Sequence, residues 1–350
     1  MKWYSDRGAE RRPHWWALPV VLLLLAGEPA SAAAPRHFVF FNRDRERIKE
    51  AWFADTPTFA GAQVKYTWKE LEPERDKYEF GPLLEDLAFL SARNKRLFVQ
   101  LQETSFETNR VLVPDYLRTP EFGGGVAMQY AFADESEEQA TPEGWVARRW
   151  DPRVQKRFHM LLEELGQAVD GHIEGLNLPE TAVGFGERTN RHPEGFTFIG
   201  YREAVQTNML AAKAAFPRSI VMQYANFMPG EWLPWKDGGH LKGVYEFALQ
   251  HGIGVGGPDL LPFRKGQLNH SYPLIKAASG KVPTGIAVQI GNYAAVNPAT
   301  GQPPDIGQLI QFAAVELGVD FIFWSTQEPH FSREVVPHLE SLRQKAVDRR

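Results

Sequence analysis

Four carboxylates stand where short β-rich runs give way to loops: Glu103 after Leu97-Gln102, Glu180 after Ile173-Leu178, Asp259 after Ile253-Gly256 and Glu328 after Phe321-Trp324. Carboxyl groups gathered from separate strands can divide acid and base roles. One holds its proton near neutral pH while another stays ionised, provided that burial or a neighbouring charge moves their pKa values apart. The same junctions are rich in amides and aromatic rings. Gln102, Asn177, Gln223, Asn226 and Gln289 both donate and accept hydrogen bonds, which suits them to hydroxyl groups. Tyr66, Tyr224, Tyr293 and Trp324 combine an apolar face with a polar edge.

Competing chemistries lack their residues. There is no His-Glu-x-x-His, and His159, His172, His192, His240 and His251 are scattered without metal-ligand spacing. Gly184-Phe185-Gly186 lacks the serine of a nucleophile elbow, and Gly252 to Gly257 lacks the Lys-Ser/Thr of a phosphate loop. With no cysteine in 350 residues, thiolate catalysis, disulfides and cysteine-held metals are excluded. No cofactor or metal is expected.

The elements that must position these groups alternate along the chain. Strands are expected at His37-Phe41, Ala62-Thr67, Leu97-Gln102, Ile173-Leu178, Ser219-Tyr224, Ile253-Gly256, Thr284-Ile290 and Phe321-Trp324. Helical spacing links Leu83, Leu84, Leu87 and Leu90, and again Val154, Phe158, Leu161, Leu162 and Leu165. Further helices are expected near Gly200-Ala215, Leu241-Gln250, Ile306-Leu317 and Glu334-Ala346. This alternation predicts a single-domain (β/α)8 TIM barrel over residues 33–350. A doubly wound open sheet would also alternate, but no Gly-x-Gly-x-x-Gly follows the first strand. Within the strands, Gln100 and Gln102 share one face, opposite Leu97, Val99 and Leu101. An inward Gln289 would place Gly285 and Ala287 inward and Ile286 and Val288 outward. A barrel gathers its ligand at the C-terminal ends of its strands, where these amides fall. The connection from Glu103 to about Trp150 is long, carries Gly123-Gly124-Gly125, and is expected to overhang that rim as a loop.

One segment is sharper than periodicity. Tyr66-Thr67-Trp68-Lys69-Glu70-Leu71-Glu72-Pro73, followed by Lys77-Tyr78-Glu79-Phe80, resembles the second-strand signature of the clan A glycoside hydrolases. The resemblance implies a general acid/base Glu at the end of strand four, a nucleophile Glu at the end of strand seven and a Trp closing strand eight. Here those places hold Asn177-Leu178-Pro179-Glu180, Val288-Gln289-Ile290-Gly291-Asn292-Tyr293 and Trp324-Ser325. The clan's Asn directly precedes its acid/base Glu; in this chain Leu178-Pro179 separates them. A neutral Gln289 in the nucleophile's place cannot form a covalent glycosyl intermediate. The second carboxylate is then Glu328, Asp259 or Glu103, and Trp324 is the expected stacking platform for a sugar.

The net charge of -4 and the interspersed charges carry no nucleic-acid footprint. Lys2, Arg7, Arg11 and Arg12, an apolar stretch from Trp15 to Gly27 and Ala30-Ser31-Ala32 read as a signal peptide over residues 1–32. The stretch falls short of the roughly 20 residues of a membrane span, so no stable span is expected after cleavage. The expectation is an exported, periplasmic or extracellular protein with a carbohydrate substrate or ligand. It is either a glycosidase using Glu180, a carbohydrate-binding barrel that has lost hydrolysis, or an accessory to polysaccharide export or envelope assembly.

Overall fold

The computed structural model describes residues 34–132, 137, 139–188 and 191–348. The expected signal peptide, residues 1–32, lies outside the described residues. Strands β1 (Arg36–Phe40), β2 (Gly61–Thr67), β3 (Arg96–Gln102), β6 (Gly175–Leu178), β7 (Ile220–Tyr224), β8 (Gly254–Gly257), β9 (Thr284–Val288) and β10 (Phe321–Ser325) close into a parallel eight-stranded barrel. Each expected strand is present, with its ends shifted by a residue or two. The chain has the (β/α)8 fold.

Side-chain alternation sorts the apolar residues into two layers. Phe38, Phe40, Phe98, Met222, Tyr224, Ala287, Phe321 and Phe323 point inward and form a cluster of their own. Phe98 meets Phe38 and Phe323 edge to face, with ring centroids 5.4 Å and 5.1 Å apart. Small residues make room for these rings. A Cβ on Gly175 would lie 2.4 Å from the Phe98 ring, and one on Gly256 would lie 2.2 Å from the Gly285 carbonyl oxygen. The outward residues of the same strands, among them Val39, Val64, Val99, Leu176, Val255, Ile286 and Val288, join the helices in one continuous outer core.

The helices follow from their own sequence signals. Asp151 caps Pro152–Val169, which buries Val154, Phe158, Leu161, Leu162, Leu165 and Val169 against the barrel. Thr197 caps Phe198–Ala215, and His240–His251 ends at Gly252 in the left-handed region. The Trp-Leu-Glu-Pro signature forms a short capped helix, Trp68–Leu71, with Thr67 and Glu70 in a reciprocal capping box. Glu72 is buried at its end. It accepts from Trp68 Nε1 at 2.9 Å and pairs with Arg157 of the Pro152–Val169 helix.

The long connection is not a loop. Two turns of 3-10 helix (Asp115–Arg118 and Pro120–Phe122) lead into an antiparallel hairpin, β4 (Val126–Phe132) with β5 (Ala140–Ala147). Val126, Met128, Tyr130 and Phe132 alternate with Ala127, Gln129 and Ala131, but the partner Ala140–Ala147 has no apolar period, so the hairpin as a pair carries no strong signal. It packs on the C-terminal side of the barrel: Ser105, just past β3, bridges Trp145, and Tyr130 N–H donates to the Gly184 carbonyl at 2.7 Å. Among the described residues no helix is long and apolar enough to cross a membrane.

Candidate active site at the barrel mouth

Glu180 follows β6 on a loop whose backbone is fixed from several sides. The Pro179 carbonyl accepts from Gln223 Nε2 at 2.6 Å, the Glu180 carbonyl from Arg149 Nη1 at 2.8 Å, and the Thr181 carbonyl from the Tyr201 hydroxyl at 3.0 Å. Pro179 breaks the strand at this point, so alternation no longer governs direction. Asn177 and the Glu180 carboxylate both reach the barrel's hollow despite the two residues between them. The carboxylate accepts from Asn226 Nδ2 at 2.8 Å. Burial pushes the Glu180 pKa up, and the Asp259 carboxylate pushes the same way, against the Asn226 hydrogen bond and the charges of Lys65 and Arg149.

Asp259, past β8, is the second carboxylate of the mouth. Burial raises its pKa too, opposed by a hydrogen bond from Asn292 and the charge of Arg264. Asn292 Nδ2 donates to Asp259 Oδ1 at 3.0 Å, while its Oδ1 accepts from the Gln289 N–H at 3.0 Å and the Leu260 N–H at 3.1 Å. One amide therefore ties the loop after β8 to the loop after β9. Gln289 follows β9 and is half-buried at the rim.

The other carboxylates have different work. Glu103 is buried in an ion pair with Arg149 and also accepts from Thr104 Oγ1 and the Ala147 N–H. Glu328 is exposed and accepts from Ser332 Oγ at 2.5 Å, at the start of the last helical stretch. It is a helix-end cap rather than a partner for Glu180.

Three expected aromatic contacts are corrected, those of Trp324 and Tyr66 by the alternation. Phe321 and Phe323 point inward, so Trp324 points outward, is 0% exposed, and donates from Nε1 to His37 Nδ1 at 3.1 Å. It packs beside Tyr293 in the outer core and cannot stack on a ligand. Tyr293 donates to the Ser325 carbonyl in the same layer. Tyr66 also points outward, to Asp86 of the Gly81–Ser91 helix at 2.7 Å. Gln223 is likewise outside, bracing Pro179.

Tyr224, Asn177, Asn226 and Gln102 are on the inner side. The Tyr224 hydroxyl accepts from Gln63 Nε2 at 3.0 Å within the barrel, and Gln102 Nε2 donates to the Thr104 carbonyl at 2.7 Å. Gln63 Oε1, Gln100 Oε1, both polar atoms of Asn177, Asn226 Oδ1 and Ser325 Oγ are buried without a hydrogen-bond partner among the described residues. Each such atom costs about 1–3 kcal/mol unless a polar molecule serves it. Their concentration in the upper half of the barrel makes it a polar, hydroxyl-compatible hollow above an aromatic floor.

Lys65, Asn292 and Trp232 were not foreseen as site residues. Lys65 is inward on β2, two residues after Gln63, and parity alone would have placed it there. Asn292 lies in a Gly-Asn turn that gives no sign of its reach. Trp232 and Trp235 are 52% and 73% exposed on the loop after β7. Trp232 stacks on Phe227 with ring centroids 5.7 Å apart and an interplanar angle of 6°, and the Phe227 carbonyl accepts from Thr181 Oγ1 next to Glu180. The Trp-Leu-Pro-Trp spacing was the available signal.

No protein-family model matches the chain, and no curated protein matches it in sequence. Solved structures do resemble it. A β-galactosidase from Bacillus circulans sp. alkalophilus superposes with a TM-score of 0.55 at 10% identity, over 84% of this chain and 50% of that one. This chain thus spans half the length of that enzyme. The catalytic domain of a β-amylase from Paenibacillus polymyxa gives 0.47 at 11% identity, over 85% and 93% of the two chains. Xylanase 10B from Thermotoga petrophila RKU-1 gives 0.47 at 11%, over 83% and 82%. At this identity the likeness to the β-galactosidase shows the (β/α)8 fold.

Proposed function

We propose that this protein is an exported glycoside hydrolase acting on a polysaccharide or oligosaccharide, with Glu180 as general acid. The observation that carries the reading is the Glu180–Asp259 pair. Both carboxyls are half-buried at the mouth, and the charge of Asp259 helps hold the proton on Glu180. Burial raises both, and the Asp259 charge acts on Glu180 in addition, which makes Glu180 the proton holder and Asp259 the base. Gln289, at the place of the clan's nucleophile, cannot attack, so the chemistry that balances is a single displacement. Asp259 takes a proton from water, and the water oxygen bonds to the anomeric carbon. The glycosidic C–O bond breaks as Glu180 gives its proton to the leaving oxygen, and the configuration inverts. Trp232 supplies the apolar face for a sugar ring in place of Trp324.

Gln289 favours a second reading, a barrel that binds carbohydrate without cleaving it. A glycan panel with wild type, Glu180→Gln and Asp259→Asn separates the two. Hydrolysis by wild type, lowered at least a hundredfold in both variants, supports the enzyme, and its rate should fall as pH rises through the elevated Glu180 pKa. Binding without any product from wild type abandons the enzyme for the binder. Absence of both leaves the envelope or export accessory role.

A further inference from the structure

Between β2, the start of the long connection and the turn after β1 lies a pocket of about 120 Å³ that opens beside the mouth. Lys65, Arg43, Gln102, Thr104, Ser105 and a single carboxylate, Glu107, are among its lining residues. Lys65 reaches it from inside the barrel. Its Nζ sits 5.2 Å from the centroid of the Phe40 ring and makes no hydrogen bond or ion pair among the described residues. An enclosed ammonium without a counter-ion is costly, and its pKa is lowered to about 8 by burial and by Arg43, against the pull of Glu180.

The surroundings do not neutralise it. Arg43 pairs with Glu107 at 3.2 Å, but Glu107 is shared with Arg110 at 3.6 Å, so one carboxylate serves two guanidinium groups. Arg149, the other cation near Glu180, is committed to Glu103. The pocket therefore keeps an excess of positive charge next to the proposed acid, with fixed hydrogen-bonding groups around it. A neutral sugar has no use for that excess; an anionic substituent has.

We propose that Lys65 and Arg43 form an anion subsite that selects a sugar carrying a carboxylate or sulfate group. This deepens, and rests on, the reading of the mouth as a carbohydrate site. The test is calorimetric binding of three tetrasaccharides at low ionic strength: tetragalacturonate, a sulfated galactotetraose and neutral galactotetraose. Wild type should bind at least one charged ligand about tenfold more tightly than the neutral one, as a charge-assisted contact of about 1.4 kcal/mol would give. The two charged arms tell carboxylate from sulfate. The preference should collapse towards one in Lys65→Met and in Arg43→Gln, and persist in Lys65→Arg. If Lys65→Met loses its thermal transition, the half-exposed Arg43 decides. Equal affinities in wild type, binding of none of the three, or a preference surviving both substitutions overturns the subsite. Turnover of the same ligands is read separately. Charged-ligand binding without cleavage removes the hydrolase and keeps the subsite; cleavage without charge preference does the reverse.

Discussion

At the residue scale, the proposed chemistry rests on two carboxyls that folding has made reluctant to ionise. Burial raises Glu180 and Asp259 above their ordinary values. A carboxyl whose folded pKa is raised binds more protons in the folded state. Its contribution to stability is whole below the unfolded pKa and is lost as pH rises through the folded one. Replacing the group by its amide should therefore relieve a burden that exists only above the ordinary carboxylate range. Glu180→Gln is expected to melt at a higher temperature than wild type at pH 8 and at the same temperature at pH 4, by calorimetry at both pH values. An unchanged difference across that range would mean that Glu180 is not held protonated by its surroundings. Sequence reading chose Glu180 from its position after a strand and left Glu328, Asp259 and Glu103 open as its partner. It could not choose between Asp259 and Glu328, because their exposure depends on loops whose course local residue types do not dictate.

At the scale of elements, the mouth is a set of loops fastened by buried polar groups. Arg149, at the end of the hairpin segment, binds Glu103, Thr104 Oγ1, the Tyr201 hydroxyl and the Glu180 carbonyl. The hairpin also crosses onto the Glu180 loop, where a Cβ on Gly184 would lie 2.2 Å from the Tyr130 carbonyl oxygen. Breaking a buried ion pair by removing one partner strands the other charge. Arg149→Met should cost about 3–5 kcal/mol in urea unfolding, and adding Glu103→Gln should return part of that loss. Additive losses would show that the two residues act apart. The hairpin itself was not legible in the sequence. Val126–Phe132 alternates, but its partner Ala140–Ala147 carries Pro142 and Gly144 and no apolar period, and no Asn-Gly or Asp-Gly stands between the two in sequence.

At the scale of the whole molecule, the barrel is stoppered by aromatic rings at one end and polar at the other. Phe38, Phe98, Phe321 and Phe323 fill the floor, while Gln63, Lys65, Gln100, Asn177 and Ser325 face the hollow above. Removing the central ring leaves a void that its neighbours, fixed in strands, cannot close. Phe98→Ala should lower the unfolding free energy by about 3–5 kcal/mol, read from denaturant titration. A loss under about 1 kcal/mol would mean that the floor is not close-packed. An open cavity of about 450 Å³ lies at this opposite end, lined by Arg36, Ile220, Val282 and Phe321 among others. It is larger than the mouth pocket, but it lies away from the carboxylates.

What the sequence determined by itself was the fold and the strand ends at which amides and carboxylates gather. Strand and helix patterns are short-range consequences of side-chain burial, and parallel strands alternating with helices leave few ways to close. The inward turn of Gln100 and Gln102, and of Gly285 and Ala287, followed from the same two-residue period. Only the tertiary structure decided which side chains meet. It turned Trp324 and Tyr66 into outer-core residues, because their parity is fixed by neighbours that fill the barrel, and Tyr293, in the loop after β9, joined them through the Ser325 carbonyl. It also brought the Asp259 charge to bear on Glu180, bound Glu103 to Arg149, and left Lys65 without a hydrogen bond or ion pair among the described residues. Those outcomes depend on loop paths between strands far apart in the chain, and no local pattern records them.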